Sequence, residues 1–212
     1  MPIIYDDSTK RKKRNDIIDA AERVFFTKGY SNTSMNDIAL EADIAKGTLY
    51  IYFETKRDLY YAVGNRALDI IVDRFANIAN SDSFESGIEK VLALARSYIS
   101  FAKEYPDYHR FLIDYHAESV DFKESNSSVI AAYMKSARIC RYLLKCIEEG
   151  VADGTIRDDI EPTHLSVLLW CKTVGMIELS KLKEPIFEDF AKIKANELIE
   201  LYIELERQLI SS

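Results

Sequence analysis

Residues 33–53 read TSMNDIALEADIAKGTLYIYF, and this stretch decides the fold that the sequence predicts. Ser34 and Asp37 have the S-x-x-D spacing of a capping box, which opens a helix whose inner face carries Ile38. A tight break is predicted over residues 43–45, followed by a short helix over residues 46–53. Two short helices joined by a three-residue turn are typical of a helix-turn-helix, although a generic helical packing unit has the same spacing.

Helical spacing continues on both sides of this stretch. Upstream, apolar residues recur at helical spacing, and Gly29 is predicted to end that helix. Downstream, Thr55 and Asp58 form a second capping box, from which a long helix is predicted over residues 56–78. Five further helices are predicted over residues 84–104, 107–118, 126–152, 163–182 and 186–210.

Composition supports the same fold class. The chain has seven Gly and four Pro among 212 residues, which is less than half of average usage. Sheet proteins of this size need both residues at many tight turns, so a sandwich or barrel is disfavoured. A hydrophobic content of 48% argues against intrinsic disorder. The prediction is an all-α protein of about nine helices.

The net charge of −7 is unevenly distributed. The first 60 residues contain ten Lys and Arg and ten Asp and Glu, so the whole excess of negative charge lies beyond them. Overall acidity argues against indiscriminate binding to nucleic acid or to an anionic membrane. The basic run Lys10–Arg14 is a local exception, and composition alone favours a solvated first helical turn for it.

Cysteine and histidine positions argue against several classes of site. Cys140, Cys146 and Cys171 are widely spaced in apolar sequence and indicate neither a disulfide framework nor a zinc site. His109 and His116 share a helical face but lack a third ligand at metal-binding spacing. No catalytic motif, signal peptide or membrane span is recognised. We expect a cytoplasmic protein without cofactor, metal, membrane partner or enzymatic activity.

From about Arg11 to Ala67 the sequence resembles the tetracycline-repressor (TetR) family of regulators. The matching motifs are Ile17-Ile18-x-Ala20-Ala21-x-x-Val24-Phe25, Lys28-Gly29-Tyr30, Thr33-Ser34-Met35-x-Asp37-Ile38-Ala39-x-x-Ala42, Lys46-Gly47-Thr48-Leu49-Tyr50-x-Tyr52-Phe53 and Lys56-Arg57-Asp58-Leu59. The resemblance implies a helix-turn-helix DNA-binding domain at residues 1–60. The long helix would link it to a helical ligand-binding and dimerisation domain at residues 80–212.

The resemblance also implies which residues touch DNA. At the start of the second short helix, Lys46 adds positive charge and Gly47 allows close backbone approach, while Thr48 can reach a base edge. The basic run would lie beside the DNA backbone or in a minor groove. The predicted DNA contacts are Thr33, Ser34, Lys46, Gly47, Thr48, Tyr50, Tyr52 and Lys56. The turn departs from the family pattern, because Asp43 and Ala45 stand where Gly and a Ser or Thr cap are usual.

An aromatic stripe follows in the second domain. Tyr98, Phe101, Tyr105, Tyr108, Phe111 and Tyr115 recur at spacings of three and four, interrupted by Pro106. Such a stripe is a core face, and the family resemblance implies that it also lines a ligand cavity, together with Trp170.

The last two long helices suggest a subunit interface. Residues 165–182 are apolar on nearly every face, so the helix must be buried on two sides. Either a partner subunit covers the second side in a four-helix interface, as the resemblance implies, or the two helices form a plain intramolecular pair. The predicted interface residues are Leu168, Gly175, Leu198, Leu201, Tyr202 and Leu205.

The expected function is that of a homodimeric transcriptional repressor which binds a palindromic operator in double-stranded DNA. Its two reading helices would lie about 34–36 Å apart, and a small apolar or aromatic effector would release the DNA. Two alternatives remain open at this point. Asp43, Ala45 and the acidic balance allow a helical interaction protein with a lapsed DNA-reading helix, and an all-α enzyme with an appended DNA-binding domain is the other.

Overall fold

The computed structural model describes residues 7–117, 127–187, 189, 192 and 194–212, and ten helices lie in these ranges. They are α1 (Asp7–Lys28), α2 (Met35–Glu41), α3 (Lys46–Tyr52), α4 (Lys56–Ala79), α5 (Gly87–Glu104), α6 (Pro106–Ala117), α7 (Ser127–Ala152), α8 (Pro162–Leu182), α9 (Glu184–Ile186) and α10 (Ala195–Ile210). No strand occurs among the described residues, where extended pairing is limited to an isolated bridge between Ile156 and Ser211. The predicted all-α class is therefore confirmed.

The final helical region differs from the prediction of a single helix over residues 186–210. The structure has the short helix α9, and α10 begins only at Ala195. Between them Lys192 has a φ of 55°, a left-handed conformation that interrupts a right-handed helix. An apolar repeat does not reveal such an interruption, because the repeat concerns side chains and not backbone dihedral angles.

The chain packs as two compact units, whose boundaries fall inside α4 and α7. The N-terminal unit contains the described residues up to Asp69 and those from Asp107 to Lys135. The C-terminal unit contains Ile70–Pro106 and the described residues from Ser136 onward. Helix α6 thus packs with the N-terminal unit, whereas the sequence placed it in the second domain. The functional division into residues 1–60 and 80–212 stays a prediction.

One apolar core holds the first four helices of the N-terminal unit together. Its members share helical spacing and near-complete burial: Ile17, Ile18, Ala21, Val24 and Phe25 of α1, Met35, Ile38 and Ala39 of α2, Leu49 of α3, Phe53 after it, and Leu59, Ala62 and Val63 of α4. Burial of a side chain such as Leu49 contributes about 1.5–3 kcal/mol. This core fixes α3 by its inner face and leaves its outer face to solvent.

The predicted helix ends of this unit are confirmed. The Ser34 hydroxyl accepts a hydrogen bond from the Asp37 N–H at 3.1 Å, and an Asp37 carboxylate oxygen accepts from the Ser34 N–H at 2.8 Å. Thr55 and Asp58 make the same reciprocal pair at the start of α4. Gly29 has a φ of 76°, the left-handed conformation that ends a helix.

The C-terminal unit is built from longer helices. Helices α5, α8 and α10 contact one another, with Leu94, Leu165, Ile203 and their neighbours buried. Helix α5 begins against the backbone of α7, where a Cβ on Gly87 would overlap the N and Cα atoms of Gly150. Gly is therefore required at position 87 by close backbone approach.

Candidate functional site

A tight turn separates α2 from α3. Asp43 has a φ of 50°. This left-handed conformation is expected at a position where sequences of the TetR family usually have Gly. Its N–H donates to the Leu40 carbonyl at 3.1 Å, and the Ile44 N–H donates to the Ala39 carbonyl at 3.0 Å. Ala45 is the N-cap of α3 and supplies no side-chain hydrogen bond, as expected. The turn is closed by backbone bonds alone, so the two departures from the family pattern leave the helix-turn-helix geometry in place.

Helix α3 presents a distinct outer surface. Lys46, Gly47 and Tyr50 are exposed, while Thr48 and Tyr52 are half-buried. The Lys46 Nζ lies 6.0 Å from the centroid of the Tyr50 ring, at the limit of a cation–π contact. A Cβ on Gly47 would meet no atom within 4 Å among the described residues, so the backbone there is open to close approach. These five predicted contacts thus share one short helix.

Ile51 is an exposed residue that the predicted set omitted. It is 81% exposed, and it lies one helical turn after Gly47 on the same strip of α3. The signal was available in the sequence, because Leu49 and Phe53 face the core and Ile51 lies between them. An exposed apolar side chain on a helix that enters a major groove suits contact with a thymine methyl group.

Two predicted contacts at the start of α2 are engaged within the protein. Thr33 is 3% exposed, and its hydroxyl donates to the Gly29 carbonyl at 2.7 Å. The Ser34 hydroxyl donates to Asp37 at 2.6 Å. Each hydroxyl has one proton and donates it within the protein, so contact of either hydroxyl with DNA stays a prediction.

Asp37 places a carboxylate at the start of α2. The hydrogen bond from Lys28 Nζ at 2.8 Å, and then the hydrogen bonds from Ser34, hold the pKa of this carboxyl far below its ordinary range. An anionic side chain at a helix N-terminus is stabilised by the helix dipole. The Lys28 ammonium, 2.8 Å from this carboxylate, compensates its charge.

Lys56 has a structural role that the sequence did not predict. Its ammonium donates to the Tyr30 carbonyl at 2.7 Å and to the Thr33 carbonyl at 2.8 Å, and it lies 4.3 Å from the centroid of the Tyr30 ring. These bonds fasten the connection between α1 and α2 to the start of α4. One of the three N–H groups remains for a phosphate.

The basic run lies in the first turns of α1. Lys10, Arg11 and Lys12 are exposed. Arg14 differs, because its guanidinium packs 4.8 Å from the centroid of the Phe53 ring and burial lowers its pKa. The positively charged surface is therefore provided by the start of the run, whereas Arg14 covers the core.

Comparison with known proteins identifies this arrangement. The family model of "Bacterial regulatory proteins, tetR family" matches residues 17–63. A helix-turn-helix-type transcriptional regulator of Staphylococcus aureus strain USA300 is 38% identical over 89 residues. Residues 17–63 therefore form a domain of the tetR family type. The match covers 42% of this chain and 46% of the relative, so the chain spans about half the length of the curated relatives it matches.

Solved structures extend the likeness of fold beyond the helix-turn-helix. The ketosteroid transcriptional regulator of Mycobacterium tuberculosis is 16% identical, with coverage of 94% of this chain and 95% of that one and a TM-score of 0.67. A putative fatty acid metabolism regulator of Clostridium perfringens is 21% identical, with 89% and 94% coverage and a TM-score of 0.64. FadR of Bacillus subtilis, solved with stearoyl-CoA, is 17% identical, with 89% and 97% coverage and a TM-score of 0.67. At these identities the likeness concerns the fold.

The predicted ligand lining divides between the two units. In the C-terminal unit Phe101 packs between Tyr98 and Tyr105, at centroid distances of 6.1 and 5.6 Å. Tyr108 and Phe111 belong instead to the N-terminal unit, against Phe26 at 5.2 Å and Tyr60 at 4.8 Å respectively. The side chain of Tyr115 lies outside the described residues. The stripe is therefore not a single wall, because Pro106 separates two helices that pack in different cores.

A cavity of about 30 Å³ lies within the C-terminal unit. Tyr98 and Trp170, with ring centroids 5.0 Å apart, line it, and their contact with a ligand stays a prediction. Its other walls are mostly apolar, with Phe75, Leu92, Leu143 and Leu169 among them. Thr173, Tyr202 and Glu206 add polar groups, which were not among the predicted lining residues. A charged residue on the buried stripe of α10, between Tyr202 and Ile210, was the available signal.

The predicted dimer face is largely exposed. Leu168, Leu201 and Leu205 are 47%, 54% and 53% exposed, and Leu198 is half-buried. A Cβ added to Gly175 of α8 would have no described atom within 4 Å. Tyr202 is the correction: its hydroxyl lies 2.8 Å from the Thr173 hydroxyl and it lines the cavity, because it points inward from α10.

Within the described part of the chain, no three His, Cys, Asp or Glu side chains come together in a way that could hold a metal ion. No helix in that part combines the length and apolar character needed to cross a bilayer.

Proposed function

We propose that this TetR-family chain is a DNA-binding transcriptional regulator, acting as a repressor, whose α3 reads operator DNA. The observation that carries the proposal is the outer surface of α3. It combines a lysine, an open glycine backbone, a tyrosine and an exposed isoleucine on a helix fixed from behind by Leu49. These groups suit phosphate contact, close approach and base-edge contact respectively.

The test is binding to DNA from upstream of the protein's own gene, measured across a range of salt concentrations. Specific binding should weaken as salt rises, since contacts to phosphates release counterions. Lys46→Ala should weaken binding and lower the slope of log affinity against log salt by about 1. Lys183→Ala removes an exposed lysine from the other unit and serves as the matched control. Absence of specific binding, or a Lys46→Ala variant that matches the control, contradicts the proposal and favours an interaction protein.

We infer further that the regulator is a homodimer joined through α8 and α10. The support is an exposed apolar face on these helices, formed by Val167, Leu168, Leu179, Leu182, Leu201, Leu205 and Leu209. Contiguous exposed apolar surface of this kind marks interfaces, and closed two-fold dimers are the commonest soluble assembly. Leu201→Glu combined with Leu205→Glu should convert the dimer to a monomer in sedimentation equilibrium. Leu40→Glu makes the same change at an exposed leucine of the N-terminal unit and should leave the mass unchanged.

A small molecule in the cavity of the C-terminal unit is proposed to release the DNA by stabilising one of two pre-existing states. The support is the cavity itself and the stearoyl-CoA that FadR of Bacillus subtilis holds. We propose no catalytic step, in keeping with relatives that are described as regulators. Effector action should appear as a loss of DNA affinity on addition of ligand, and ligand that binds without changing this affinity contradicts it.

A further inference from the structure

Glu206 of α10 sets the chemistry of the cavity in the C-terminal unit. We propose that this cavity binds a small molecule with an apolar or aromatic body and a hydrogen-bond donor, either an amine or a hydroxyl. The Glu206 carboxylate would accept the hydrogen bond from this donor. The inference rests on the proposed function for its regulatory meaning, but it concerns binding alone. It specifies the class of effector that the cavity accepts and the class that it rejects.

Glu206 is a buried carboxylate with an unused oxygen. The residue is 4% exposed and lines the cavity. One oxygen, Oε1, forms an ion pair with the ammonium of Lys172. The other, Oε2, is buried and accepts no hydrogen bond from the described residues. A buried acceptor without a hydrogen bond destabilises the folded protein by about 1–3 kcal/mol. A ligand that brings a donor recovers that cost, and this gain favours its binding.

The hydroxyls of Thr173 and Tyr202 cannot serve as that donor. The Thr173 hydroxyl donates to the Leu169 carbonyl at 2.8 Å. Because it has one proton, the 2.8 Å contact between Thr173 and Tyr202 requires the Tyr202 hydroxyl to be the donor. Burial raises the pKa of Tyr202 to about 12, so this proton stays in place at neutral pH. Thr173 and Tyr202 can therefore only accept a further hydrogen bond.

These three polar groups offer acceptors only. A carboxylate or phosphate in the same place would meet Glu206 Oε2 without a proton between them, which is repulsive in an apolar surrounding. An amine or alcohol would donate a hydrogen bond to Glu206 Oε2, and its apolar part would pack against the rings of Tyr98 and Trp170. The Lys172 ammonium, which reaches solvent, compensates the charge of Glu206, so a neutral alcohol is accommodated as well as an amine.

The size of the cavity adds a condition. A volume of about 30 Å³ has room for one or two water molecules. A ligand with about ten non-hydrogen atoms therefore requires lining side chains to move, and Trp170 is only half-buried. Binding is thereby coupled to a change of conformation, which is the property an effector needs.

Trp170 provides a direct readout, because it is the single tryptophan of the chain and lies on the cavity wall. Its fluorescence is titrated, in the absence of DNA, with 4-phenylbutylamine, 4-phenylbutanol and 4-phenylbutyrate at pH 7. These probes share one apolar body and differ in the head group. The amine and the alcohol should bind about tenfold or more tightly than the carboxylate. Equal affinity for the carboxylate, or no binding of any probe, overturns the proposal.

Variants identify the selecting group. Glu206→Gln adds donors while keeping a carbonyl oxygen, so the preference for amine over carboxylate should fall about tenfold or more. Glu204→Gln, an exposed glutamate on the same helix, is the matched control and should keep the preference. Thr173→Val removes the acceptor of the Tyr202 proton and should weaken the preference by freeing a donor, which keeps the test available if Glu206→Gln does not fold.

The two proposals fail separately. Selective quenching without any operator binding contradicts the regulatory function and leaves the ligand class standing. Operator binding together with an unchanged head-group preference in Glu206→Gln overturns the ligand class and leaves the regulatory function standing.

Discussion

The start of α2, in the N-terminal unit, and the cavity, in the C-terminal unit, satisfy their polar side chains in different ways. In the N-terminal unit, Ser34 pairs with Asp37 three residues away, and Thr33 bonds to Gly29 four residues away. In the C-terminal unit, Thr173 meets Tyr202 and Lys172 meets Glu206 across two helices that are distant in sequence. Local bonds define the start of α2, whereas long-range bonds define the polar side of the cavity. A sequence motif can therefore describe the first unit far better than the second.

The largest expected effect tests close packing in the C-terminal unit. Gly87→Ala places a methyl group on the backbone of Gly150, which cannot move without shifting α7. We expect a loss of about 3 kcal/mol in the free energy of unfolding, measured in urea. Ser86→Ala is the control, because Ser86 makes no capping hydrogen bond with its side chain. A stable Gly87→Ala variant would show that α5 and α7 lie farther apart.

The N-terminal unit allows the same kind of substitution at a glycine that packs against a side chain and not against backbone. A Cβ on Gly64 of α4 would overlap the ring of Phe111, and a ring can move more easily than a backbone. Gly64→Ala should therefore cost less, about 2 kcal/mol by the same measurement. Gly47→Ala fills open space within a helix and should stabilise by up to about 1 kcal/mol. Equal losses at positions 64 and 87 would remove the distinction between the two units.

Lys56 and Lys46 separate stability from DNA contact within one unit. Lys56→Met removes two bonds to backbone carbonyls and should lower the free energy of unfolding by about 1.5 kcal/mol. Lys46→Met removes no hydrogen bond to another described residue, so the thermal midpoint should stay the same while the salt dependence of DNA binding falls. Equal changes in stability in the two variants would contradict a structural role for Lys56 that Lys46 lacks.

The smallest effect concerns acid stability. Because Lys28 and Ser34 depress the pKa of Asp37 in the folded protein, this carboxylate adds stability above its unfolded pKa of about 3.9. That stability is lost as the pH falls below about 4. Asp37→Asn should make the fall of the thermal midpoint between pH 5 and pH 3, a range set by the reference pKa of about 3.9, less steep. Glu54→Gln, at an exposed position, should leave the fall unchanged, and equal slopes in all three proteins count against the capping interaction.

The sequence predicted those features that depend on neighbouring residues. The two capping boxes, the left-handed Gly29 and the inward direction of Leu49 and Phe53 all follow from spacings of three and four. The bonds of the Lys56 ammonium to the Tyr30 and Thr33 carbonyls were not predicted, because these carbonyls become its neighbours only when the connection between α1 and α2 packs against the start of α4. In the C-terminal unit, a broad apolar repeat could not separate the inward Tyr202 from the outward Leu201.

The exposure of two thiols has a practical consequence. Cys140 of α7 and Cys171 of α8 are exposed, whereas Cys146 is buried and burial raises the pKa of its thiol to about 11. Cys171 lies between Leu168 and Gly175 on the face that the homodimer is proposed to cover, and Cys140 lies on another helix. A maleimide reagent should therefore modify Cys140 in every form of the protein but modify Cys171 only in the monomer. The extent of Cys171 modification, relative to that of Cys140, therefore measures the fraction of the protein that is monomeric.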